Sequence, residues 1–223
     1  MPGFQLHDKL LDLPLFQGMS NADLSVIIGQ TKFGFHKFQG GKTVIKEYDA
    51  CDTLFFLMKG SLTVETYADD HGYRLIEEVH APAVLQPELM FGLHQYHNRT
   101  YSARTECQFI TLDKNEVMRL LDEFIIFRLN FLNILSTQCQ KLSRRLWRTP
   151  PASLSLRIAE FIRSRCLLPT GGKTLYIKMT RLADELNDSR LDISRALNTM
   201  QSSNLLELHR GRVHIPALEH LPR

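Results

Sequence analysis

Cysteine is scarce and scattered in this chain. Four residues in 223, Cys51, Cys107, Cys139 and Cys166, share no C-x-x-C spacing. That excludes a cysteine-ligated zinc or iron–sulfur site and predicts reduced thiols in a cytoplasmic protein. No apolar run approaches the roughly 20 residues needed to cross a bilayer, and no basic-then-apolar segment opens the sequence. No membrane partner is therefore expected. Glycine-rich phosphate loops after a strand and nucleophile-elbow serine motifs are absent too, which removes two large enzyme classes. Acidic residues thin out toward one end. Residues 141–223 hold 15 Lys+Arg against 7 Asp+Glu (+8), residues 1–140 hold 12 against 17 (−5), and the two sum to +3. A basic back half suggests a polyanionic partner for that half alone, although a charge run is also what a solvated face looks like.

What is present begins with one or two short helices over residues 5–30, with Ser20 as a cap before Leu24, Ile27 and Ile28. From about 33 to 112 the pattern switches to period two. FGFHKF, KTVIKEY, TLFFLM, SLTVETY, YRLIEEV and QFITL read as strands, punctuated by Gly40-Gly41, Gly60, Asp69–Gly72 and Pro82. Many short strands at such spacing predict a small antiparallel barrel or jelly roll. Residues 114–147 then read as one helix without Gly or Pro. Met118, Leu121, Ile125, Leu132, Leu135, Cys139, Leu142 and Leu146 keep alternating three- and four-residue steps, broken at Arg128. That seam can pair with a copy of itself, or the helix can lie on the barrel, as Phe124, Phe127 and Phe131 suggest. Pro150 and Pro151 end it, so 148–153 is the expected hinge. A helix from Leu154 and a strand TLYIK follow.

Residues 180–201, TRLADELNDSRLDISRALNTMQ, read as two short helices about a tight turn. Leu182, Ala183 and Leu186 face inward from the first, and Ile193, Leu197 and Met200 from the second. Asn187 tolerates the left-handed backbone a reversal needs. Ser189 and Asp192 form an S-x-x-D capping pattern, which starts the second helix at Arg190. Its outer face carries Arg190, Leu191, Ser194, Arg195 and Asn198. A core hairpin would also fit this pattern. The segment 205–215, two short strands about Arg210-Gly211, adds a basic wing and favours a DNA-reading helix-turn-helix. In that role Arg190 and Arg195 suit guanine edges, Leu191 a thymine methyl, and Thr180, Ser189, Arg210 and Arg212 phosphates.

The order of parts resembles the catabolite-activator/FNR-type family of bacterial transcription regulators. The matching stretches are LPLFQGMSNADL, LFFLMKGSLTVET, LSLRIAEFI and LADELNDSRLDISRAL, with Ser189, Arg190 and Arg195 on the family's recognition-helix pattern. The resemblance implies an α+β chain: a cyclic-nucleotide-binding-like β-roll (1–113), a central dimerisation helix (114–147), the hinge, and a winged helix-turn-helix (154–223). It implies a homodimer whose seam uses Ile125, Leu132, Leu135, Cys139 and Leu142. Its partners would be a two-fold-symmetric site on double-stranded DNA and RNA polymerase, with no enzymatic activity. Cyclic-nucleotide-binding members use G-E-L and then Arg-Ser or Arg-Thr; here Pro87-Glu88-Leu89 and Arg99-Thr100 stand there. Glu88, Arg99 and Thr100 thus mark the effector pocket, with Arg104 as a rival basic residue and a structural Glu88–Arg99 ion pair as the alternative, but Pro87 has no N–H for a phosphate, so cAMP is not expected and no cofactor is implied. Leu191 replaces a frequent family Glu, which changes the base read. A different class is a metal-dependent, cupin-like β-roll enzyme using His94, His97 and His80 with an accessory C-terminal domain. The two-histidine strand spacing of cupins is missing.

Overall fold

The computed structural model describes the backbone of residues 2–222, and side chains over 6–144 and 147–222. The chain forms two compact units. One comprises residues up to Leu62 together with His80–Leu146; the other joins Thr63–Val79 to the residues from Trp147 onward.

The first unit opens with helices α1 (Pro2–Leu11) and α2 (Asn21–Gln30). Ser20 caps α2 by accepting from the Asp23 N–H at 3.1 Å, satisfying one of the donors a helix start leaves free. The roll follows as β1 (Gly34–Phe38), β2 (Thr43–Ile45), β3 (Thr53–Lys59), the start of β4 (Ser61–Tyr67), β6 (Ala83–Leu85), β7 (Thr100–Ala103) and β8 (Cys107–Asp113). Four of these form an antiparallel sheet in the order β1-β8-β3-β6, and β2 pairs with β7. Strands β6 and β7 were not foreseen. At three and four residues they are too short to show a period. Gly60 makes the β3–β4 turn at φ +100°, where a Cβ would sit 2.4 Å from the Glu106 carbonyl oxygen; only glycine fits. Phe16 meets Phe56 and Phe127 at ring separations of 5.7 and 5.2 Å, joining the N-terminal segment, the sheet and the following helix in one core.

That following helix is not single. The expected 114–147 helix is two, α3 (Lys114–Glu123) and α4 (Ile125–Leu146), with Phe124 extended between them. The break is held by Arg128, whose guanidinium donates to the Leu121 carbonyl and, at 2.6 Å, to that of Asp122. These are among the acceptors a helix end leaves open. Past the break, Phe127 and Phe131 enter the core while Ile125, Leu129, Leu132, Cys139 and Leu142 stay exposed. Leu135 packs partly against the core, so Leu129 rather than Arg128 or Leu135 continues the outward stripe. The side chain of Leu146 lies outside the described residues.

The second unit contains α5 (Leu154–Arg165), β9 (Lys173–Ile177), α6 (Met179–Leu186), α7 (Arg190–Ser202) and the hairpin β10 (Glu207–His209) and β11 (Arg212–Ile215). It also contains most of β4 and of β5 (Tyr73–His80). Residues 63–79, which the sequence reading gives to the roll, belong here because β5 pairs antiparallel with β9, Tyr73 opposite Ile177 through Glu77 opposite Lys173. The sheet order is β10-β11-β9-β5-β4. Leu75 joins Ile158, Leu175, Leu197 and Ile215 in the core of this unit. At the same interface Glu77 and Lys173, each about 1% exposed, form an ion pair of 2.9 Å. The Glu77 carboxylate also accepts from the N–H groups of Leu167 and Leu168. Among the described residues no helix is long and apolar enough to cross a membrane.

Candidate nucleic-acid interface and effector pocket

Helices α6 and α7 meet across three residues. Asn187 takes φ +48°, ψ +55°, the left-handed conformation that ends α6. Ser189 then caps α7: its hydroxyl accepts from the Asp192 N–H at 3.1 Å and donates to the Asp192 carboxylate at 2.6 Å. The reciprocal half of a capping box is different here. The Ser189 N–H goes to the Asp188 carboxylate at 2.8 Å, not to Asp192. The Ser189 hydroxyl, read in sequence as a phosphate contact, is thus already engaged at both its donor and an acceptor site.

Ile193, Leu197 and Met200 are buried, which turns the opposite side of α7 to solvent. Arg190, Leu191 and Arg195 are exposed there, and Ser194 is half-buried beside them. Leu191 stands out as an apolar side chain 59% exposed. Arg195 reaches Asp192 at 3.4 Å, but both ends are open to water, where such a pair contributes little and is readily exchanged. Thr180 is exposed in the first turn of α6. In the wing, Gly211 takes φ +74° between Arg210 and Arg212, and both arginines are exposed. A helix start carrying guanidiniums, flanked by a basic hairpin, can donate hydrogen bonds to base edges and phosphates at once.

The roll offers a second candidate region around Pro87–Leu89, a short 3-10 turn. Gln86 leads into it with φ +45°, ψ +50° and is buried. Its side-chain NH2 donates to Asn98, and its carbonyl accepts from His97 Nδ1 at 3.0 Å. His97 is only 3% exposed, and burial holds its pKa below the ordinary histidine value, against a weaker upward pull from Asp49 and Asp52. Thr100 accepts the Glu47 N–H at 3.1 Å. Glu88 and Arg99 are both half-buried nearby in sequence. Cys51 is buried, and its thiol is pushed up to about 11, first by burial and then by the negative charges of Glu88 and Asp52. Burial likewise raises Cys107. Neither thiol has the depressed pKa of a redox-reactive cysteine. Among the described residues no three His, Cys, Asp or Glu side chains gather as a metal site. His97 is committed to Gln86 while His94 is exposed, and the enzyme reading is not favoured.

Residues 35–124 match the cyclic nucleotide-binding domain family. This stretch has the fold of such a domain. The chain as a whole has the fold of the Crp/Fnr regulators. The Thermus thermophilus catabolite activator protein superposes with a TM-score of 0.52 over 91% of this chain and 93% of that one, at 15% identity. The sensor domain of the transcriptional regulator DNR from Pseudomonas aeruginosa gives 0.54 over 68% of this chain and 98% of its own, at 18% identity. An Eubacterium rectale protein described as a regulator of the crp/fnr family gives 0.51 over 93% and 95%, at 17% identity. No curated protein sequence matches this chain.

At the 87–89 turn the neighbouring polar groups are bonded within the protein itself. Pro87 is buried and donates no N–H, and Gln86 spends its amide on Asn98 and His97. Sequence reading found Pro87 but missed Gln86, His97 and Asn98 as a linked group. Only the polar run Gln95–Arg99 hinted at it. It also missed Arg157, quoted within LSLRIAEFI but given no role. Arg157 donates to the Leu186 carbonyl at 3.1 Å and to the Asp188 carboxylate at 2.6 Å, across the turn before α7.

Proposed function

We propose that this chain is a non-enzymatic, sequence-specific DNA-binding regulator that acts in the cytoplasm as a homodimer on a two-fold-symmetric duplex. The observation that carries the reading is the outer face of α7. Arg190, Leu191 and Arg195 point away from a buried Ile193–Leu197–Met200 stripe, beside a wing bearing Arg210 and Arg212. Arg190 and Arg195 read bases, Leu191 and Ser194 add contacts in the groove, and Thr180, Arg210 and Arg212 hold phosphates. Ser189 serves chiefly as the cap. The exposed stripe Ile125–Leu129–Leu132–Cys139–Leu142 on α4 supports pairing with a second copy, since such a row of apolar side chains gains by leaving water. RNA polymerase is the onward partner.

The roll acts as a sensor whose ligand is not cAMP, because Pro87 cannot donate to a cyclic phosphate and Gln86 is internally bonded. Glu88, Arg99 and Thr100 line whatever pocket remains. Any effector works by binding one arrangement of the protein better than another, so that occupancy shifts the population competent for DNA.

The test compares Arg190→Ala with Arg212→Ala on a duplex selected from a randomised pool and on a scrambled one. Loss of Arg190 should cost about 1–3 kcal/mol on the selected duplex and relax discrimination at one position. Loss of Arg212 should weaken both duplexes alike and flatten the salt dependence by roughly one phosphate contact. Equal loss on both duplexes for Arg190→Ala would end its base-reading role.

A further inference from the structure

We infer that Arg157, which lies in α5 rather than on the DNA-facing helix, is the positioning residue that sets the angle of α7 and hence sequence discrimination. The inference rests on the DNA-reading role of α7 argued above.

The turn between α6 and α7 is held locally by main-chain bonds and by the Ser189 cap, none of which ties it to another element. Asn187 is exposed, and its neighbours are held by main-chain bonds, including Asp188 N–H to the Ala183 carbonyl at 3.0 Å. Arg157 supplies the rest. One arm of its guanidinium, Nη1, donates to the Leu186 carbonyl, an acceptor left open where α6 ends. The other, Nη2, donates to Asp188, whose second carboxylate oxygen accepts the N–H of Ser189, the cap of α7. A single planar group therefore grips the last turn of one helix and, through Asp188, the first residue boundary of the next. The pair is largely covered, with Arg157 26% and Asp188 19% exposed, so water does not readily replace it. Arg157 Nε is enclosed with no hydrogen-bond partner, so the guanidinium holds this pose with one of its donors unmet.

Arg190 stands two residues beyond Asp188. Two-pronged recognition of a base edge tolerates errors of only about 0.5 Å. Phosphate contacts depend mainly on charge and tolerate far more. A turn freed to rock would therefore lose base discrimination while keeping general DNA affinity. Lysine in place of Arg157 keeps the positive charge but lacks the planar fork, so it cannot span Leu186 and Asp188 together.

The experiment measures R157K and, separately, Asp188→Ala against native protein on the selected and the scrambled duplex over a range of salt, with thermal unfolding alongside. R157K should lower the selected-to-scrambled affinity ratio at least tenfold, with scrambled binding and its salt slope unchanged. Asp188→Ala, which removes the other end of the same bridge, should lower the ratio too, and it decides the matter if R157K does not fold. R165K is the control, because Arg165 bonds Tyr73, Phe161, Ser164 and Glu185 and none of the turn residues; it should keep the native ratio. Folded variants with a lower melting temperature and an intact ratio would reduce Arg157 to a structural residue and overturn the inference. If the native protein selects no sequence at all, the DNA-reading role itself falls, an outcome visible before any variant is made.

Discussion

Each unit buries a polar centre, and the two are built on opposite terms. In the roll, Gln86, His97 and Asn98 form a neutral group tied by side-chain hydrogen bonds between two loops. In the winged unit, Glu77 and Lys173 form a fully buried ion pair across two strands that stand about a hundred residues apart in the chain. A neutral network costs little to bury once its donors and acceptors are matched. Buried charges are expensive to desolvate and rarely improve stability over an apolar pair, so their use lies in specifying which groups meet. The ion pair thus fixes which strand, in which register, completes the wing's sheet. The neutral group ties the turn at Pro87–Leu89 to the loop that carries His97 and Asn98.

The sharpest break of that comparison is Lys173→Ala. It strands the Glu77 carboxylate in the core and should cost about 3–5 kcal/mol, read by denaturant unfolding of the full chain. The paired change Lys173→Met with Glu77→Leu should recover most of that loss, because neither charge remains to be desolvated. If the double variant unfolds as easily as the single one, the strand pairing depends on the charges for its energy as well as its register.

A smaller effect belongs to the neutral centre. Gln86→Ala removes both bonds at once and leaves the buried His97 Nδ1 without that partner, while the exposed Asn98 can turn to water. An unmet buried polar group costs about 1–3 kcal/mol, so this variant should fall short of the Lys173→Ala loss. Equal losses in the same unfolding assay would erase the distinction between the two centres.

How visible these features are in the sequence follows the same division. The cap at Ser189, the reversal at Asn187, the turn at Arg210-Gly211 and the apolar side of α7 depend on residues within a few positions of one another. They could be read directly. The pattern YRLIEEV marks β5 as a strand, but nothing in it names β9 as its partner, and Glu77 looks like any outward residue of an alternating strand. The break at Phe124 carries neither Gly nor Pro; it depends on Arg128 folding back onto two carbonyls, a contact with no local signature. In the candidate sites the same rule holds. Arg190 and Arg195 were legible as an exposed face, whereas Gln86 in a left-handed conformation and Arg157 reaching Asp188, 31 residues on, were not.

The mildest test is one of pH. Burial lowers the His97 pKa in the folded chain, while an unfolded histidine titrates near about 6.5. Between those values the unfolded chain binds a proton that the folded chain refuses, so stability rises with pH there. His97 therefore contributes its full stability above about pH 6.5, and that contribution erodes as pH falls below it. The Glu77–Lys173 centre sits in the other unit, so two probes can separate them. Trp147, the sole tryptophan, belongs to the winged unit, and amide exchange at Gln86–Asn98 reports the roll. Lowering pH from 7.5 to 5.5 should reduce protection in the roll of the native protein, taken as the exchange rate relative to the intrinsic rate at each pH, and His97→Gln should flatten that response because no proton is then taken up. A pH response that survives His97→Gln unchanged would place its origin outside this network.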